Sequence, residues 1–188
     1  MAQPSEKITK ALFFFILGVF IIKNLSGSGI FESKNYKGKG YFVRIPEGWS
    51  KVKKKKGVVY PQGVDLVQFV PKGTNLELER PDASIFIYSK KLTTPIWIED
   101  EFPDIVRSLR EAGFEIKDKG EIKVDDKISA WVVYYDRANS LLNLEFYIVS
   151  DNNMFFKMQY SADPDKFQQN RNSFEELKNS FKFRFSLY

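Results

Sequence analysis

Alternation of apolar and polar positions is clearest between Leu142 and Tyr160. Leu142, Leu144, Phe146 and Ile148 fall on one side of an extended chain, with Asn143 and Glu145 on the other. Met154, Phe156, Met158 and Tyr160 repeat the pattern against Lys157 and Gln159. A period of two marks strands of an antiparallel sheet, one face on a core and the other toward solvent. The strands 142–150 and 154–161 flank Asp151-Asn152-Asn153, and a second pair, 115–124 and 128–136, flanks Asp125-Asp126-Lys127. Both spacers read as tight hairpin turns. Three earlier strands are expected at 41–45, 64–70 and 83–88, the first two stopped by Pro46-Glu47-Gly48 and Pro71-Lys72-Gly73.

The period lengthens to that of a helix in two places. Phe102, Ile105, Val106 and Leu109 share one helical face, with Asp100 or Glu101 as the cap, Pro103 in the first turn and Gly113 at the end. Phe167, Phe174, Leu177 and Phe181 line a second helix, behind Asp163 as cap and Pro164 at the first helical position. The order βββ-α-ββββ-α predicts an α+β fold, an antiparallel sheet flanked by helices.

Ahead of this body the pattern vanishes. Ala11 to Ile22 is apolar on every face, preceded by Lys7 and Lys10 and closed by Lys23 and Asn24. As a helix its 12 residues span ~18 Å, short of the ~30 Å hydrocarbon thickness. That length suits the apolar region of a signal peptide, with Ser26-Gly27-Ser28-Gly29 as small residues at a cleavage point. Counted from Ile8 to Leu25, with lysine stems snorkelling, the run reaches the low edge of a membrane anchor. Residues 1–29 are therefore expected to be a signal peptide or an N-terminal anchor, and 30–40, rich in Gly, Ser and Lys, a flexible linker. Residues 41–188 form the single folded domain.

Composition narrows the chemistry. Among 188 residues there is no Cys and no His. Disulfides, thiolate nucleophiles, zinc-thiolate sites, a lipoprotein cysteine and every mechanism using a histidine base are excluded. The formal charge of +5 is divided unevenly. Residues 1–56 hold 12 Lys/Arg against 3 Asp/Glu, net +9, whereas 57–188 hold 17 against 21, net −4. A nucleic-acid-binding domain would not concentrate its charge this way, and no nucleic-acid partner is expected.

Tyr41-Phe-Val-Arg-Ile-Pro-Glu-Gly-Trp49 resembles the opening strand and turn of the PsbP-like and DcrB-like superfamily. The likeness continues through the Phe102-Pro103 helix, Ala130-Trp-Val-Val-Tyr-Tyr135, Met154-Phe-Phe-Lys-Met-Gln-Tyr160, and a last helix ending Asn179-Ser-Phe181. It covers Tyr41 to Phe183. The resemblance implies an antiparallel sheet with helices on its faces, in a scaffold of accessory proteins rather than of catalysts. With no Cys and no His, this chain lacks the lipid anchor and the histidine metal sites of some relatives.

No catalytic, cofactor-binding or metal-binding residue set is expected. Glu99-Asp100-Glu101 with Asp104 places negative charge at a helix start, and Asp125-Asp126 serves a turn. Neither has the alternating spacing of a calcium-binding loop. Lys53, Lys54, Lys55 and Lys56, with Lys51, form a dense basic run beside the linker. Such a run attracts anionic headgroups at up to ~1 kcal/mol per charge; a solvated loop between strands has the same composition. Trp97, after Thr94-Pro95, is the candidate partner contact, whereas Trp131 on a strand belongs to the core. These readings lead to a non-enzymatic, extracytoplasmic accessory or binding protein that engages a protein or membrane complex. The alternative is a carboxylate- or metal-dependent hydrolase.

Overall fold

The computed structural model describes residues 35–53, 63–76 and 80–184. In chain order these form β1 (Asn35–Gly38), β2 (Tyr41–Arg44), β3 (Trp49–Lys51), β4 (Val64–Pro71), β5 (Ala83–Lys91), α1 (Ile98–Glu111), β6 (Glu115–Val124), β7 (Lys127–Asp136), β8 (Leu141–Val149), β9 (Met154–Ala162), α2 (Phe167–Asn179) and β10 (Lys182–Phe183). The fold is α+β. Seven strands make one antiparallel sheet in the order β3-β4-β5-β9-β8-β7-β6, and β1-β2-β10 make a second, three-stranded sheet. Successive hairpins build β6 to β9, and β9 then pairs with β5, closing the meander onto the earlier strands.

The expected hairpin turns form, for local reasons. Asp125 and Asp126 take φ of 47° and 63°, and Val124 pairs with Lys127 across them. Two left-handed residues in a two-residue loop match the strand twist, and Asp tolerates that conformation. The β8–β9 loop ends on Asn153 at φ 58°, where the Ser150 N–H donates to the Met154 carbonyl at 2.9 Å and the Met154 N–H donates to the Ser150 hydroxyl at 3.1 Å.

One face of the large sheet carries the main core. Ile85 and Ile87 of β5, Phe156, Met158 and Tyr160 of β9, and Leu144, Phe146 and Ile148 of β8 pack there under Phe167, Phe174 and Leu177 of α2. Tyr160 Oη donates to the Phe167 carbonyl at 2.7 Å, pinning the start of α2 to β9. Phe181, just past α2, stacks on Tyr41 at 5.7 Å between centroids and meets Phe156 edge-on at 5.4 Å. The small sheet thereby closes the same core from its edge.

The order is βββββ-α-ββββ-α-β rather than βββ-α-ββββ-α, because the short strands β1, β3 and β10 are held by pairing with β2 and β4 and carry little apolar alternation of their own. Element starts differ as well. β1 occupies Asn35–Gly38, within the segment read as linker, so the folded body begins before Tyr41. Glycine there is a packing requirement, because Gly38 pairs with Tyr41, whose ring covers it. α1 starts at Ile98 rather than behind Asp100 or Glu101, with Trp97 at the cap position and no side-chain cap bond. Ile98 is buried and draws the helix back; Glu99, Asp100 and Glu101 then sit at the positive end of its dipole. Pro103 lies one turn inside the helix, where it removes only the N–H that would bond Glu99. α2 starts at Phe167, four residues beyond Asp163. The Asp163 carboxylate is engaged by Arg80 and its N–H by the Asp82 carbonyl, so it anchors the end of β9 instead of capping.

A Cβ added at Gly38 would lie 2.1 Å from the Tyr41 ring, and one at Gly120 would lie 2.9 Å from the ring of Trp131. Tyr41 is fully buried and cannot retreat, whereas Trp131 is partly exposed. Gly38→Ala is expected to cost about 1–3 kcal/mol and Gly120→Ala distinctly less, measured by urea unfolding. A neutral Gly38→Ala would contradict the packing of Tyr41.

Candidate functional site

The second face of the large sheet was expected to be solvated, and it is not. Asn143 and Glu145 of β8, with Lys157 and Gln159 of β9, are between 1% and 8% exposed. α1 covers the β6–β8 side of this face through Phe102, Ile105, Val106 and Leu109, which pack on Ala130, Val132, Tyr134 and Tyr147. The polar side chains continue inward from that edge as a ladder across β7, β8 and β9.

Its centre is Glu145. Oε1 accepts from Tyr134 Oη at 2.9 Å and from Lys157 Nζ at 3.0 Å, and Oε2 accepts from Tyr147 Oη. Lys157 also donates to Gln159 Oε1 at 3.1 Å. Gln159 Nε2 donates to Asn143 Oδ1 at 3.2 Å and to Ser161 Oγ at 3.0 Å, and Ser161 in turn donates to Asn143. The cross-strand pairs Glu145–Gln159, Tyr147–Lys157 and Asn143–Ser161 place these groups side by side. A buried carboxylate is tolerable only with such donors, since an unpaired ion in this setting costs several kcal/mol.

Burial pushes the Tyr134 and Tyr147 phenols well above the ordinary range, and the charge of Glu145 pushes the same way. Both stay protonated and act as fixed donors. Burial likewise pushes Tyr88, on the same face of β5, up to about 12. The ladder is closed at its centre, while at the β4 end the buried Gln68 Oε1 has no hydrogen-bond partner among the described residues.

The residues singled out from sequence lie elsewhere. Trp97 is 74% exposed at the start of α1, away from the main core. Lys53 is exposed just after Val52, and Lys54, Lys55 and Lys56 lie outside the described residues, as does the segment 1–29. Glu101 is raised by partial burial and by Asp104 and Asp100, in keeping with an acidic helix start. Among the described residues no cluster of acids is arranged to hold a metal ion. Asp125 has a structural role beyond its turn: it accepts from Lys182 Nζ at 2.7 Å and from the Phe183 N–H at 2.8 Å, tying the β6–β7 hairpin to β10. The ladder left a trace in β8, where Tyr147 is a bulky donor on the same side of the strand as Asn143 and Glu145, whereas Tyr134 shares its side of β7 with Ala130 and Val132.

No protein-family model and no curated protein matches the sequence. Solved structures match the fold. Cyanobacterial PsbP (CyanoP) from Synechocystis sp. PCC 6803 aligns over 85% of this chain and 99% of its own, with TM-score 0.56 and 15% identity. A Pseudomonas aeruginosa protein of unknown function aligns over 71% and 92%, with TM-score 0.54 and 11% identity. LpqN of Mycobacterium tuberculosis, described as involved in cell envelope biogenesis, aligns over 79% and 86%, with TM-score 0.52 and 10% identity. The chain has the PsbP-like fold that its opening strand and turn suggested.

Two outcomes follow from the ladder. Lys157→Met is expected to destabilise by about 3–5 kcal/mol, because Glu145 is left buried and unpaired. Adding Glu145→Leu to it should restore much of that loss, and a double-mutant cycle by chemical denaturation measures the difference. The raised tyrosines set the alkaline limit. The unfolded chain gives up these protons near the usual value of 10.0, while the native Tyr88 holds its own to about 12. Their stabilisation is therefore complete below pH 10 and is lost as pH rises above it. Unfolding followed together with phenolate absorbance should show release of the buried set coupled to loss of structure.

Proposed function

We propose, with the PsbP-like fold as premise, that this chain is a non-enzymatic accessory protein sent to the extracytoplasmic side of a membrane by its N-terminal segment. There it engages a protein or membrane complex. The observation that carries the reading is the state of the buried titratable cluster. Glu145 is held inside the sheet by two phenols and an ammonium, so its oxygens are already committed to the fold. A hydrolytic carboxylate needs the opposite, an acid or base open to substrate and water. The hydrolase reading draws no support from any described residue.

Three further points favour the reading. Ala11 to Ile22 is apolar all round and flanked by lysines, as a targeting segment requires. The fold is shared with CyanoP and with a protein of cell envelope biogenesis, and such a scaffold hosts different partners on one frame. Trp97 is a large aromatic left in solvent, the residue type that anchors interfaces.

Fractionating cells that make the full chain, with sequencing of its mature N-terminus, tests the location. Membrane association, or an extracytoplasmic form cut near Ser26 to Gly29, is expected; a cytosolic form with residues 1–29 intact would overturn the proposal. In affinity capture from the same fraction, Trp97→Ala should weaken partner recovery by about 2 kcal/mol with the melting temperature unchanged.

A further inference from the structure

The three-stranded sheet has an inner and an outer face, and they are chemically opposite. Tyr41 and Val43 of β2 and Phe181 beside β10 point inward and are buried. The register then turns Lys37, Phe42, Arg44 and Lys182 to the other side, since Lys37 and Lys182 both pair with Phe42. Arg184 joins them: its N–H bonds the Gly40 carbonyl at 2.9 Å, continuing the β10 ladder by one residue. The cations are exposed and surround a half-buried phenylalanine. Lys37 Nζ lies 5.5 Å from the Phe42 ring centre and the Arg184 guanidinium 5.7 Å. The acid seen in contact with this group is Asp125, on Lys182. Lys37, Arg44 and Arg184 thus present positive charge on a domain whose residues 57–188 are net negative.

We propose that this outer face docks on an anionic membrane surface. The proposal rests on the membrane placement argued above and adds the orientation of the body and the lipid charge it selects. Two features favour a membrane over an acidic protein. Ile22, the end of the apolar run, is 13 residues from Asn35, a tether of at most about 45 Å fully extended. The strand that follows the tether directly, β1, is itself part of the basic face, so an anchored chain holds these charges within reach of headgroups. A shallow aromatic among cations also suits the interface, where phosphate and apolar surface lie side by side.

Sedimentation of the full chain with vesicles separates the two proposals. On phosphatidylcholine alone, binding reports the apolar segment. Adding phosphatidylserine should strengthen binding by at least about tenfold, an increment that falls with salt, since each basic residue contributes roughly fivefold. The triple variant Lys37→Gln, Arg44→Gln, Arg184→Gln should lose that increment and keep binding to phosphatidylcholine. Arg44→Gln alone, a single exposed change that leaves the sheet backbone intact, should lose about fivefold of it. An increment that survives both variants, one that is absent from the wild type, or one that disappears instead on neutralising Lys53 to Lys56 would overturn the proposal. Loss of binding to phosphatidylcholine with the increment intact would overturn the anchor and leave the basic face standing.

Discussion

Strand β9 has no solvent side, and the rest of the molecule is arranged around that fact. Met154, Phe156, Met158, Tyr160 and Ala162 fill one face of it, and Phe155, Lys157, Gln159 and Ser161 the other. The first set needs nothing beyond apolar cover. The second includes a lysine that must find a counter-ion inside the protein, because the strand lies between β5 and β8 and its side chain cannot reach out far enough. Glu145 across the β8–β9 pairing supplies that charge, and its second oxygen and remaining lone pairs require Tyr147 and Tyr134. Register is therefore fixed twice over. A slip of β9 by one residue would put Lys157 among Phe146 and Phe174, turn Tyr160 to the polar side and leave Glu145 without its ammonium.

Cover for the two faces comes from different parts of the chain. α2 follows β9 at once and folds back on its apolar side, held by the Tyr160–Phe167 bond and a run of ring contacts from Phe167 through Tyr160 and Phe174 to Phe146. α1 arrives from β5 and crosses to the far edge of the sheet, so it shields the tyrosine end of the ladder rather than its middle. The small sheet then seals the open side of the main core with Tyr41, Phe181 and Phe183 against Phe156. Aromatic residues dominate where α2 and the small sheet meet β9, and their rings fill that junction with few rotamers.

What could be read from the chain beforehand depended on whether the signal was local. The hairpins at Asp125 and Asn153 were legible because a turn is decided by the residues in it. The α2 face was legible because Phe167, Phe174 and Leu177 keep helical spacing. β1 was not, since Asn35–Gly38 lacks any apolar run and becomes a strand only when Tyr41 lies over Gly38 and Tyr36 meets Phe69. Alternation in β8 and β9 gave the right strands and the wrong environment. Period two says that two faces differ, and it cannot say whether the polar one meets water or a second polar strand. The same limit explains why the ladder was missed as a unit: Tyr134, Asn143, Glu145, Lys157 and Ser161 become neighbours only through strand order. The basic outer face of the small sheet has the same origin, joining Lys37 and Arg44 to Lys182 and Arg184 from the other end of the chain.

These constraints restrict where recognition can take place. The polar centre is committed to holding its own sheet together, so a ligand entering there would displace bonds that the fold needs. The long edge strand β6 is also a poor template for an added strand. It carries exposed Lys117, Asp118, Lys119, Glu121 and Lys123, and its pairing is broken by a bulge between Ile116 and Asp118. Among the described residues, outward side chains on elements whose other face is fixed in the core include Trp97 at the head of α1 and the cations around Phe42. Such positions can change without disturbing Glu145 and Lys157 beneath them. A shared frame with sequence identities of 10–15% to its structural neighbours is what that separation would produce. The interior selects the fold, and the surface is free to select the partner.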